Sequence, residues 1–388
     1  MVERGSTGEY LSSVAGGETV RAFVPAPLPP EPPLRFTPGR RRLLERATLA
    51  LGRLDSITLL LPDPEIFLYS YVRREAVLSS QIEGTQSSLS DLLQFELDEA
   101  PGVPFDDVVE VSNYVRALEH GLSRLAEGMP LCNRLLREMH AVLLSRGRGS
   151  GKQPGEFRRS QNWIGGTRPG NAFFVPPPPQ AVESCMADLE RFIHDPDQPY
   201  PTLVKAALAH VQFETIHPFL DGNGRLGRLL ISFMLHHEGM LSRPLLYLSL
   251  YFKIHRQAYY EYLDQVRTKG NWEGWIDFFL EGVEQTALNA VDTARRLVAL
   301  MQQDEQRIHR LGRRAGTALR VHRMLGYRPL QSIKDIAKAL DLSYPAVIRS
   351  LDALAELGIV REITGRQRNR IYAYQAFLDI LNEEAQPL

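Results

Sequence analysis

Several scarcities bound what this chain can be. Only two cysteines, Cys132 and Cys185, occur in 388 residues, and both fall in helical patterns. That excludes a disulfide framework and marks the pair as reduced core thiols. No apolar run approaches the ~20 residues that a membrane-spanning helix needs. The opening Met1-Val2-Glu3-Arg4-Gly5 carries no apolar secretory segment. The formal net charge is −1, so no overall field draws the chain to nucleic acid or to an anionic membrane. Internal repeats and heptad runs are also missing. These absences predict a cytoplasmic protein with no membrane partner.

What is present fits a soluble globular chain of two or three domains: 44% of residues are hydrophobic and 23% charged. Residues 1–37 are rich in Gly, Ser and Pro, and Pro25 to Pro33 should be extended, as a tail or a strap. Helical periodicity starts near Arg40 and continues through Glu65–Glu83, Leu89–Glu99 and Asp106–Leu125, giving an N-terminal helical region over 38–125. Asp63 is placed as the N-cap of the second of these helices and Pro64 as its first residue. A core with a helical extension follows over 126–311. Its helices are Leu131–Leu144, Gln180–His194, two around residue 217, Leu250–Thr268 and Trp272–Gln302. Only residues 155–176 and the far C-terminus look β. The expected fold is mainly α, a helical bundle.

The most informative run is His217-Pro-Phe-Leu-Asp221-Gly-Asn-Gly-Arg225-Leu-Gly-Arg228. Pro201 to Ile216 before it has one apolar side that includes Leu203, Ala207, His210, Val211 and Phe213. Pro218 should end that helix by pushing His217 out of αR geometry. A second helix starts at the Gly222-Asn223-Gly224 turn and stops near Gly239. Glycines at a helix N-terminus let backbone N–H groups approach an anion, and the helix dipole favours negative charge there. Arg225 opposes that dipole unless an anion is bound. Arg228 projects from nearly the same face. Asp221 is a hard ligand suited to Mg2+ shared with phosphate oxygens. His217 is the group that takes a proton most easily near neutral pH. These parts suit a nucleotide phosphate site with a metal ion and a general base.

The run resembles the signature of the Fic (filamentation-induced by cAMP) family, His-Pro-Phe-x-(Asp/Glu)-Gly-Asn-Gly-Arg-x-x-Arg, at every fixed position. The resemblance implies a protein adenylyltransferase that moves AMP from ATP onto a Ser, Thr or Tyr hydroxyl of a target protein, or of itself, and releases pyrophosphate. It implies that His217 is the base and that Asp221 holds Mg2+. Gly222, Asn223 and Gly224 form the anion hole, Arg225 holds the phosphates and Arg228 pairs with the γ-phosphate. Ser79-Ser-Gln-Ile-Glu83-Gly84 is similar to the family's inhibitory motif. That implies a helix bearing Ser79 and Glu83, with Glu83 competing for Arg228 and holding the enzyme autoinhibited. Residues 155–176 look like the family's β-hairpin flap, which holds the target as an added strand, with Trp163, Ile164, Phe173, Phe174 and Val175 as its framework. The fold expected from the resemblance is a Fic-type helical bundle with this flap.

From about residue 312 the pattern changes. A short helix from Ser332 to Leu340, a turn, a second helix from Tyr344 to Leu357 and an arginine-rich hairpin over 359–374 resemble a small winged helix-turn-helix domain (312–388). Thr317 to Leu325 is its preceding helix. Ser343, Tyr344, Arg349 and Ser350 are candidates for a DNA groove, and Arg366, Arg368 and Arg370 for phosphates. Asp352 and Glu356 oppose that fit, and a protein-docking or dimerisation role stays open. Two further alternatives stay open for the whole chain: removal of AMP by water activated at Glu83, and a nucleotide-sensing transcriptional regulator. Arg146 to Lys152 superficially resembles a P-loop but lacks its first glycine and its Ser or Thr, so it reads as a loop to the flap. His210 reads as core and His236-His237 as a helix end. Tyr251, Tyr259 and Tyr260 read as packing residues, with self-modification a lesser role.

Overall fold

In the computed structural model, the described residues are 4–60, 64–98 and 105–383. Their described part of Met1–Gly52 with Asn113–Ala287 forms one compact unit, and that of Arg53–Ser112 with Leu288–Leu388 forms a second. These units cut across the segments read from the sequence. The first residues join the core, while residues 53–112 group with the C-terminal part. The division falls inside three helices: α1 (Pro38–Leu60), α4 (Phe105–Ala126) and α11 (Trp272–His309).

Ahead of the Pro-rich run the chain forms a hairpin that the sequence reading does not single out. Strands β1 (Gly8–Ala15) and β2 (Glu18–Pro25) pair antiparallel with Ala15 opposite Glu18. Gly16 and Gly17 both have positive φ, 55° and 82°, as a tight two-residue hairpin turn requires. Val20 and Ala22 alternate inward on β2. The Gly-Gly turn before an alternating strand was the signal for this element, and the Pro-rich run after it masked it. That run does lie as a strap: Gln212 Nε2 donates to the Ala26 carbonyl at 2.9 Å, and Arg4, which donates to the Pro32 and Pro33 carbonyls, pairs with Glu273 through Nη1 and Nη2.

The other helices are α2 (Pro64–Ile82), α3 (Leu89–Asp98), α5 (Asn133–Leu143), α6 (Pro179–His194), α7 (Thr202–Ile216), α8 (Asn223–His237), α9 (Leu248–Ile254), α10 (Arg256–Lys269), α12 (Ala315–Tyr327), α13 (Ile333–Leu340), α14 (Tyr344–Glu356) and α15 (Gln375–Asn382). Asp63 lies outside the described residues, and α2 does begin at Pro64. The single helix expected over Leu250–Thr268 is two, because His255 leaves helical geometry (φ −105°, ψ 36°).

In the first unit α7 is the axle. Every residue from Leu203 to Ile216 is buried, so the one apolar side expected from periodicity is an all-round buried helix. It packs on α6, α8 and α10. Gly227 permits the close α7–α8 approach: a Cβ there would lie 2.4 Å from Glu214 Oε1 and 3.1 Å from Phe213. His210 is a core residue as expected. Its Nδ1 donates to the Gly227 carbonyl at 2.9 Å, and its Nε2 accepts from the Tyr259 hydroxyl at 2.8 Å. Burial lowers its pKa to about 3.

In the second unit α2 packs on α3, α12 and α15. Strands β3 (Leu330–Ser332), β4 (Arg361–Glu362) and β5 (Ile371–Ala373) form an antiparallel sheet in the order β3-β5-β4. Ser332 caps α13 by accepting from the Asp335 N–H. No helix among the described residues is long and apolar enough to cross a membrane. Both cysteines are free thiols.

Candidate active site

The signature run joins α7 to α8 in the first unit. His217 caps α7 in a left-handed conformation (φ 49°, ψ 60°), with its N–H on the Phe213 carbonyl. It is out of αR, as the following proline predicts, but it reaches the left-handed region and not the extended one. That conformation costs a non-glycine residue about 1 kcal/mol, so the surroundings must enforce it. Arg158 supplies the enforcement. Only 2% exposed, it donates from Nε to the His217 carbonyl at 2.9 Å and from Nη2 to the Pro177 and Ile216 carbonyls at 2.6 and 3.4 Å. Its backbone N–H donates to Pro218 O at 2.9 Å. A cation is thus set against the orphan carbonyls of a helix C-terminus. Burial lowers its pKa to about 10, which leaves it charged.

Past Pro218 the loop is pinned by Asn223. Its Oδ1 accepts from the Phe219 N–H and its Nδ2 donates to the Phe219 carbonyl, both at 2.9 Å. The side chain of Asn223 therefore clamps the loop, while its backbone starts α8. Gly222, at φ 75°, turns the chain into the helix. Its N–H donates to Asp221 Oδ1 at 2.6 Å, and Arg225 Nη2 stands 3.4 Å from the same oxygen. Arg225 and Arg228 are both 3% exposed in the first turns of α8, close to Gly224. His217, Asp221 and Gly222 to Gly224 thus lie beside two buried guanidinium groups at one helix N-terminus.

A single carboxylate fits Mg2+ only where phosphate oxygens and water complete the shell. Gly149 approaches this carboxylate closely, because a Cβ there would stand 2.7 Å from Asp221 Oδ2. The loop set aside as a false P-loop therefore reaches Asp221. Among the described residues no cluster of three or more His, Cys, Asp or Glu could hold a metal.

The flap is tied by one bridge, Ile164 to Phe174, with a short 3-10 turn at Pro169–Asn171. Trp163 and Phe173 point outward, 38% and 69% exposed. Phe174 and Val175 are buried, so their side chains are framework and do not face a target. Phe174 lies under the Arg267 guanidinium at 4.0 Å, and Val175 O accepts from the Phe23 N–H of β2.

In the second unit, α2 carries Ser79, which is fully buried, and ends before Glu83, which is exposed. Gly84 follows at φ 101°. Ser343, Tyr344 and Arg349 are exposed on α14, and Arg366 and Arg368 on the following loop, with Arg370 partly covered. Ser350 is a correction: it is buried and donates to the Ala346 carbonyl at 2.9 Å, so it cannot reach a groove.

Sequence reasoning missed Arg158, His140 and Gly149. His140 on α5 is fully buried and stacks on Phe219 with ring centroids 3.8 Å apart. Burial lowers its pKa to about 4. Nothing local marked these residues, since their partners lie about 60 to 80 positions away.

Residues 41–123 match the Fic/DOC family N-terminal domain, and residues 130–235 match the Fic/DOC family domain. A protein adenylyltransferase Fic from Culex quinquefasciatus is 32% identical over 194 residues, 47% of this chain and 36% of that protein. One from Aedes aegypti is 37% identical over 133 residues, 34% of this chain and 24% of that protein. The chain thus spans about a third or less of the length of these curated relatives. A Fic family protein from Desulfovibrio desulfuricans G20 has the same fold, with a TM-score of 0.56 at 21% identity over 89% of this chain and 98% of that one. Fic-1 from C. elegans aligns with a TM-score of 0.50 at 19% identity over 67% of this chain and 73% of that one. The signature loop and the two matched Fic/DOC domains agree, and the chain shares its fold with a Fic family protein.

Proposed function

We propose that this protein is an autoinhibited adenylyltransferase, which moves AMP from ATP to a Ser, Thr or Tyr hydroxyl of a protein and releases pyrophosphate. The observation that carries this is His217, held left-handed by Arg158 next to a helix N-terminus with two buried arginines. That is a base beside a polyphosphate cradle. The names of the curated relatives support the same chemistry.

His217 takes the proton of the target hydroxyl. The freed oxygen attacks the α-phosphorus, the bond to the bridging oxygen of the β-phosphate breaks, and pyrophosphate leaves. The N–H groups of Gly222, Asn223 and Gly224 and the guanidinium of Arg225 receive the developing charge, and Arg228 holds the γ-phosphate. Asp221 is the residue that would hold Mg2+, which neutralises phosphate charge when bound. The flap offers its backbone, with exposed Trp163 and Phe173, to an extended target segment.

Glu83 restrains the reaction by competing with the γ-phosphate for Arg228, a carboxylate against a phosphate for one guanidinium. The C-terminal helices and sheet form a winged helix-turn-helix module that presents Tyr344, Arg349, Arg366 and Arg368 to DNA or to a protein partner, a second copy included. Free thiols suit a cytoplasmic setting.

ATP labelled separately at the α- and γ-phosphates tests the reaction type. Protein should retain the α label and not the γ label. Retention of the γ label would contradict AMP transfer.

A further inference from the structure

His140 touches three parts of the site at once. The Gly155 N–H, where the chain enters the flap, donates to its Nδ1 at 2.8 Å. That nitrogen therefore holds a lone pair, and the ring proton sits on Nε2. Nε2 then donates to the carbonyl oxygen of Asp221 at 3.0 Å. The ring face lies on Phe219 at 12° between planes, so the imidazole has little freedom to turn.

A trans peptide is planar, and its C=O and N–H point in opposite directions. Holding the Asp221 carbonyl on His140 turns the Gly222 N–H away from α5. There it meets Asp221 Oδ1 at 2.6 Å, an anionic oxygen of the kind a phosphate offers. Glycine tolerates more backbone conformations than any other residue, so the Asp221–Gly222 peptide needs an external latch to keep one orientation. We propose that His140 is that latch, a positioning residue whose Nε2–H aims the Gly222 N–H at a bound phosphate. This rests on the loop binding a nucleotide polyphosphate, as proposed above. It predicts that ligand affinity follows the Nε2 hydrogen bond and not the Nδ1 one.

Two substitutions separate the bonds. Glutamine places an amide N–H2 near the position of Nε2, keeping the donor to Asp221 and losing the acceptor for Gly155. Asparagine places an amide oxygen near Nδ1 and does the reverse. Both lose the ring stack. Calorimetric titration with inorganic pyrophosphate reads binding without turnover, with thermal melting as the measure of fold. His140→Gln should bind within about threefold of wild type and His140→Asn about tenfold weaker. Equal binding by the two variants, or affinities that rank with melting temperature, overturns the latch and leaves the nucleotide site standing. A wild-type protein that binds neither pyrophosphate nor ATP overturns the site, and the latch with it. Nitrogen-15 shifts of the His140 ring in the wild-type protein need no variant. A proton on Nε2 is expected, and a proton on Nδ1 contradicts the latch.

Discussion

Arg158 donates from Nε to the carbonyl oxygen of His217 at 2.9 Å, and its other side-chain hydrogen bonds also go to main-chain carbonyls. The proposed base is therefore held from below through its backbone. Removing the guanidinium strands buried carbonyls at a helix end, at about 1–3 kcal/mol for each group left unsatisfied. Arg158→Ala should lose about 3 kcal/mol in urea denaturation. Arg158→Lys should recover only part, because an ammonium cannot span the separate carbonyls. A loss below about 0.5 kcal/mol in the alanine variant would show that water replaces the guanidinium.

Gly222 and Gly227, two of the three glycines of the signature run, differ in what a methyl group meets. At Gly222 the nearest neighbours of a Cβ stand at 3.4 and 3.5 Å, so alanine suffers mainly from the left-handed backbone, about 1 kcal/mol. At Gly227 the Cβ falls 2.4 Å from Glu214 Oε1 and 3.1 Å from the Phe213 ring, between α7 and α8. Alanine's better helix propensity recovers about 1 kcal/mol there, less than overpacking costs. Gly227→Ala should therefore lower the melting temperature more than Gly222→Ala, and the reverse order would contradict the packing described for α7 and α8.

His210 links stability to pH. Its folded pKa is depressed to about 3, so the folded protein keeps it neutral while the unfolded chain protonates it below pH ~6.5. The unfolded state then binds more protons, and stability falls on acidification through that window by about 1.4 kcal/mol per unit for this residue. Above pH ~7 its contribution is flat. Urea midpoints from pH 7.5 to 5 should decline in the wild type. His210→Asn, which keeps a donor for Gly227, should decline less steeply, and an unchanged slope would remove His210 from the linkage.

The C-terminal arginines make a separate prediction. If Arg366 and Arg368 lie on phosphates, replacing each with alanine weakens DNA binding across sequences and lowers the salt slope by about one. Filter binding at several salt concentrations reads this. No DNA affinity in the wild type would leave the module to protein docking.

What the sequence disclosed and what it hid follow from the range of the interactions. His217, Asp221, Gly222 to Gly224, Arg225 and Arg228 were legible because their chemistry sits in one continuous run that starts a helix. The helices were legible because apolar spacing is local. Arg158 and His140 were not, since each looks like an ordinary helix or loop residue until α5 and the flap fold over the loop. Gly149 was passed over because the run from Arg146 to Lys152 read only as a loop to the flap, and its closeness to Asp221 depends on the fold. The N-terminal hairpin was obscured by the prolines after it, although Gly16-Gly17 and the alternation of β2 were present. Phe174 and Val175 could not be told from Trp163 and Phe173 without knowing that β2 and Arg267 cover one side of the flap.

Intact-mass analysis after incubation with ATP and Mg2+ asks most directly whether a base at His217 serves AMP transfer restrained by Glu83. Glu83→Gly, alone or with lysate, should gain one AMP on itself or place it on another protein, well above wild type, and adding His217→Ala should abolish the gain. ATP bound by Glu83→Gly with no AMP on any protein would contradict it, as would equal labelling with and without His217.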